Sequence, residues 1–76
     1  MSPADTAALR VVEFFSDCDL ARKCAEDAQR AMVNNDPVLA GDALDRADRV
    51  VRMLEMRLTD ARAAVERAVE YKEQHE

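Results

Sequence analysis

Apolar residues recur along the first half of the chain at alternating spacings of four and three: Ala7, Val11, Phe14, Cys18, Ala21, Ala25, Ala28 and Met32. At about 3.6 residues per turn, that spacing keeps one side chain of each turn on a single stripe, so the pattern predicts an amphipathic helix over about 3–33. Its start is marked by Ser2, Pro3 and Asp5: a hydroxyl to cap exposed N–H groups, a proline pre-set for the first turn, and an acid at the positive end of the helix dipole. The run Asn34-Asn35-Asp36-Pro37 then breaks the pattern, because proline disfavours helical backbone at Asp36 while Asp36 and Pro37 together open a new helix. This predicts a turn over about 34–37.

A second stripe follows: Ala40, Leu44, Ala47, Val51, Leu54, Leu58, Ala61, Val65 and Ala68, again in alternating fours and threes. It predicts a helix over about 38–73, with a frayed end over 70–76. Gly41-Asp42 offers a later start, with Asp42 as the cap; the earlier start is preferred. Three acid-before-base pairs four apart, Asp42 with Arg46, Asp45 with Arg49 and Asp48 with Arg52, belong on the solvent side.

So short a connection folds the second helix back on the first, giving an all-α chain: an antiparallel two-helix hairpin forming one domain over 1–76. The residues expected to pack in the core or at the dimer contact are Val11, Phe14, Phe15, Cys18, Ala25 and Met32 on the first helix, and Leu44, Val51, Leu54, Leu58 and Val65 on the second. Phe14 and Phe15 are expected to anchor the end where Leu58, Ala61 and Val65 face them. On the second helix Ala43, Val50, Met53, Ala64 and Tyr71 widen the apolar arc beyond what one partner helix covers. Burying a Val, Leu or Met side chain fully is favourable by roughly 1.5–3 kcal/mol, so the excess predicts assembly as a homodimeric four-helix bundle.

Composition sharpens this picture. A chain of 76 residues has a small core and gains from oligomerisation, and 49% hydrophobic with 36% charged residues, one Gly and no Trp suits long helices better than sheet or disorder. The net charge of −5, with both signs interspersed, argues against nucleic acid or an anionic membrane as the main partner. The N-terminus has no signal-peptide pattern and no run is long enough to span a bilayer, so a cytoplasmic location is expected. Cys18 and Cys24 are six apart on one helix and do not bridge each other; Cys18 is expected in the core and Cys24 to one side, both reduced.

Nothing in the chain points to catalysis, to a cofactor, to a metal site or to a small-molecule substrate. The single His lies at position 75, one Gly builds no phosphate loop, and no Cys/His spacing fits zinc. The expected function is therefore non-enzymatic: a protein–protein interaction module acting as a chaperone, adaptor or regulator, with itself and a second protein as partners. Leu9, Val12 and Leu20 lie away from the first stripe, and Met53 and Met56 offer adaptable contacts on the second helix, so these five form the candidate partner face, although scattered exposed apolar residues are common. In size, charge and helix pattern the chain resembles small acidic helical-hairpin chaperones of bacterial secretion systems, which implies a protein client. A second analogy is to plasmid-encoded dimeric hairpins that bind paired RNA loops, and a third role is as a subunit or inhibitor of a larger complex. Arg46, Arg49 and Arg52 are the residues an RNA role would use, and Asp42, Asp45 and Asp48 compete for them.

Overall fold

The computed structural model describes residues 1–75 and consists of two helices, α1 (Pro3–Val33) and α2 (Pro37–His75). The start of α1 is a capping box: Asp5 N–H donates to Ser2 Oγ at 3.1 Å, and Ser2 N–H donates back to Asp5 Oδ2 at 3.4 Å. Two donors that a helix start would leave unpaired are thereby satisfied.

The turn is built by Asn35, whose φ of 56° lies in the left-handed region. Asp36 N–H donates to the Ala31 carbonyl at 2.8 Å and Asn35 N–H to the Met32 carbonyl at 3.0 Å, the hydrogen-bond pair of a Schellman ending. Asn tolerates this backbone better than most side-chain-bearing residues. Asp36 then caps α2 at once: its Oδ1 accepts from Leu39 N–H at 3.1 Å and its carbonyl from Ala40 N–H at 3.1 Å. The helix therefore starts at Pro37 and runs straight through Gly41, in agreement with the earlier of the two starts.

The chain reverses direction at this turn. The whole molecule measures 59 × 16 × 15 Å, close to the length expected of α2 alone at about 1.5 Å per residue, so α1 lies alongside α2. Cross-helix ion pairs fix the antiparallel register: Arg57 Nε donates to Asp17 Oδ2 at 3.0 Å, Arg57 Nη1 to Glu13 Oε2 at 3.1 Å, and Arg46 sits 3.9 Å from Asp27. Arg10 completes a small network by donating to the other oxygen of Glu13 at 2.8 Å. At its far end α2 keeps its helical form to His75, beyond the expected fraying point at residue 70. The His75 ring stacks on Tyr71 at 3.8 Å, with Nδ1 2.8 Å from the Tyr71 carbonyl. Glu76 lies outside the described residues.

The seam between the helices differs from the expected stripes by a consistent shift. Covered positions recur at spacings of three and four through Ala7, Arg10, Phe14, Asp17, Ala21, Cys24, Ala28 and Ala31 on α1, and through Ala40, Ala43, Ala47, Val50, Leu54, Arg57, Ala61, Ala64 and Ala68 on α2. Every second expected residue is in place, but the ones between are displaced by one: Val11, Cys18, Ala25 and Met32 give way to Arg10, Asp17, Cys24 and Ala31, and Leu44, Val51, Leu58 and Val65 to Ala43, Val50, Arg57 and Ala64. Small side chains explain the choice. Alanine-lined faces let two helices approach towards the close end of the usual 8–10 Å spacing, and the short turn holds them there. Arg57, Asp17 and Glu13 reach past this narrow contact to pair at its edge.

The buried core consequently contains Ala7, Cys24, Ala28, Ala31, Ala40, Ala43, Val50, Ala61 and Ala64, with no large side chain fully enclosed. Each alanine contributes little more than one methyl group, about 0.8 kcal/mol when taken from water. The larger apolar side chains are elsewhere.

Candidate interaction site

The displaced residues define a second surface. Val11, Cys18, Ala25 and Met32 each follow a seam residue of α1 by one position, and Leu44, Val51, Leu58 and Val65 do the same on α2. In an antiparallel pair, positions that flank the seam in the same sense on both helices lie on the same side of it. The groove at the open end bears this out, since Ala4 and Ala7 of α1 and Val65, Ala68 and Val69 of α2 line one apolar recess of about 480 Å³. One long side of the hairpin is therefore an apolar ledge contributed by both helices.

All eight ledge residues are exposed, with Met32 at 55%, Leu44 at 57%, Val51 at 46% and Leu58 at 37% of full accessibility. Of the two places expected for these residues, the hairpin core and a dimer contact, the first is thereby ruled out. Only Phe14 and Leu54 of the expected packing set enter the seam, and both are half-buried. Phe15 does not anchor the end of the hairpin; at 73% exposure it extends the ledge outward from Val11 and Cys18. The two cysteines exchange their expected roles, Cys24 being buried at 6% and Cys18 exposed on the ledge. The reason is the same one-residue shift, which turns position 24 inward and position 18 out.

The opposite side of the seam is mixed. Leu20 and Met53, two of the five candidate partner-face residues, come together there with Lys23, Asp27, Arg46 and Arg49 around a groove of about 580 Å³. Leu9 and Val12 lie on the outer surface of α1, and Met56 lies on the outer surface of α2 beside Glu55, Thr59 and Asp60. The structure therefore does not gather the five into one patch.

Charges on the outer surfaces are largely matched locally. Arg22 binds Asp19 at 2.6 Å and Glu26 at 2.8 Å, Arg30 lies 3.4 Å from Asp27, and Arg52 binds Asp48 at 3.1 Å. The hydrogen bond from Arg22 holds the Asp19 carboxyl below its ordinary value, and the same contact raises Arg22. Of the three expected pairs on α2, Asp48 with Arg52 forms within the helix, while Arg46 reaches across to Asp27.

Among the described residues no group of three or more His, Cys, Asp or Glu is placed to hold a metal ion, and no helix is long and apolar enough to cross a membrane. The fold and this surface define a class: a two-helix hairpin with a small-residue seam and a large-residue flank. Comparisons with protein-family models, with curated proteins and with solved structures give no match to the chain.

The shift of seam was present in the sequence. The alternative spacing Ala7, Arg10, Phe14, Asp17, Ala21, Cys24, Ala28, Ala31 contains two charged residues, which makes it look the poorer stripe. Arg57 supplies the signal that tips the choice, because it is the one residue on α2 that answers Asp17 and Glu13 together.

Proposed function

We propose that the chain is a non-catalytic interaction module whose apolar ledge packs against helices of another protein chain, and that it assembles with a second copy into a homodimeric four-helix bundle. The observation that carries this reading is the distribution of apolar side chains: mostly alanines inside the hairpin, with Val11, Met32, Leu44, Val51, Leu58 and Val65 exposed along one flank. Large apolar surfaces of this kind mark association sites. Six of the ledge residues are Val, Leu or Met, each with roughly half of its surface in water, so covering them releases on the order of 1 kcal/mol apiece per protomer. Summed over two protomers, this is on the order of 10 kcal/mol, comparable with the roughly 4–15 kcal/mol that association costs in lost freedom of motion.

A bundle completed in this way serves as a scaffold, and its outer surfaces serve for a protein client in a chaperone, adaptor or regulatory role. The groove of Leu20 and Met53 is one of those surfaces, an apolar floor with charged walls. The test uses two double variants. Val51→Lys with Leu58→Lys is expected to abolish self-association; Leu20→Lys with Met53→Lys is expected to leave it intact while losing a protein captured by the unmodified chain. A Val51→Lys, Leu58→Lys chain that still runs as a dimer would overturn the reading.

A further inference from the structure

The two ends of the ledge differ. Its wide end is the recess between Ala4 and Val65 near the open end of the hairpin, and its raised end is formed by Met32 and Leu44 near the turn, the two most exposed of the ledge's larger side chains. Ala4 and Met32 lie two heptads to either side of Cys18, and Leu44 and Val65 lie symmetrically about the gap between Val51 and Leu58. The pairing of Arg57 with Asp17 and of Arg46 with Asp27 brings Cys18 level with that gap. The recess and the raised end are thus equidistant from one midpoint, a spacing that lets a two-fold contact seat each raised end in the other chain's recess.

Resting on the ledge reading above, we infer that the occupant of the ledge is a second copy turned end for end, so that Met32 and Leu44 of each chain fill the recess beside Ala4 and Val65 of the other and the two-fold axis passes at Cys18. The footprint is adequate, since a face 59 Å long and 16 Å wide offers on the order of 800 Å² per protomer, the size of an ordinary stable interface.

The rims bring one pair of opposite charges level. In this orientation Asp48 of one chain comes level with Arg62 of its partner, and Phe15 comes level with the Arg22 guanidinium, a contact of the cation–aromatic kind. Glu55 meets its own copy at the axis, at an exposed rim position where both carboxylates remain in water. The competing arrangement, with both turns at the same end, sets the two α1 helices diagonally across the bundle and puts the two Cys18 thiols out of each other's reach.

Cross-linking decides between them. A Cys24→Ala chain, whose only thiol is Cys18, is treated with a short bis-maleimide at a concentration where sedimentation gives the dimer mass, and a Cys24→Ala, Leu58→Lys chain serves as the control for the ledge itself. A second variant carries Ala4→Cys with Met32→Cys and lacks both natural thiols; these positions are at opposite ends of α1, so a short link between them is made only between chains. The expected result is efficient dimer formation through Cys18 and through the 4–32 pair, with the Cys18 link lost in the Leu58→Lys control. A dimer of the correct mass that gives neither link overturns the end-for-end arrangement while leaving the ledge as its interface. A dimer that persists with Leu58→Lys overturns the ledge reading itself, and a monomer overturns self-docking. If Cys24→Ala perturbs folding, peptide mapping of the cross-link in the unmodified chain gives the same decision.

Discussion

Truncating Leu58 to alanine separates a ledge that is buried by association from one that stays in water. In the isolated hairpin Leu58 is 37% exposed. In a monomer the substitution therefore removes atoms that are partly hydrated already and leaves the alanine-lined seam, which Leu58 does not enter, in place. In the two-fold assembly the same side chain is enclosed, and it is lost twice. Leu→Ala at enclosed sites costs about 2–5 kcal/mol each, and taking the part gained only on association as about 1–1.5 kcal/mol per copy gives about 2–3 kcal/mol per dimer. That corresponds to a dissociation constant raised by about 30–150-fold. Met56→Ala is the matched comparison, because Met56 is also a large apolar residue of α2 but lies on the outer surface beside Glu55 and Asp60. It should leave the constant within about threefold. Sedimentation across a dilution series measures both, with far-ultraviolet dichroism confirming that each variant is helical. Equal dissociation constants for the two variants would refute the assignment of the ledge as the interface.

Other expectations concern the hairpin itself. Arg57→Leu strands the Asp17 carboxylate at the edge of the seam and leaves Glu13 to Arg10 alone; because these side chains are partly hydrated, the loss should be about 1–2 kcal/mol by urea unfolding, smaller than for a fully buried pair. Gly41→Ala should stabilise by about 0.5–1 kcal/mol, since Gly41 is inside α2 and a Cβ there meets nothing within 4 Å, and thermal melts give the sign directly. Asp19 is held below its ordinary value chiefly by the Arg22 hydrogen bond, so its contribution is present at neutral pH, above its unfolded value, and disappears as the pH falls through the folded one. Arg22→Gln should move the Asp19 carboxyl titration, followed by NMR, back up towards that of a free aspartate.

The helices, their caps and the turn were legible from local chemistry. Ser2 with Asp5 and Asp36 with Pro37 act within four residues of themselves, so their meaning does not depend on what packs against them. The seam was half legible for the opposite reason. Ala7, Phe14, Ala21 and Ala28, like Ala40, Leu54 and Ala61, belong to both candidate stripes, and only the other helix decides which neighbour completes each turn. Hydrophobicity favoured Val11 over Arg10 and Leu58 over Arg57; close approach of small residues and the pairing of Arg57 with Asp17 favoured the reverse. The residues displaced by that choice are the ones now proposed to meet another chain. The cysteines followed the seam, which is why Cys24 is enclosed and Cys18 is on the ledge.

The central claim is that this hairpin is half of a core. Its most direct test is the mass and thermal stability of the unmodified chain from low micromolar to submillimolar concentration. The account predicts a particle of twice 8.5 kDa whose melting temperature rises with concentration, because unfolding is coupled to dissociation. A fully helical 8.5 kDa monomer whose melt is the same at every concentration would contradict it.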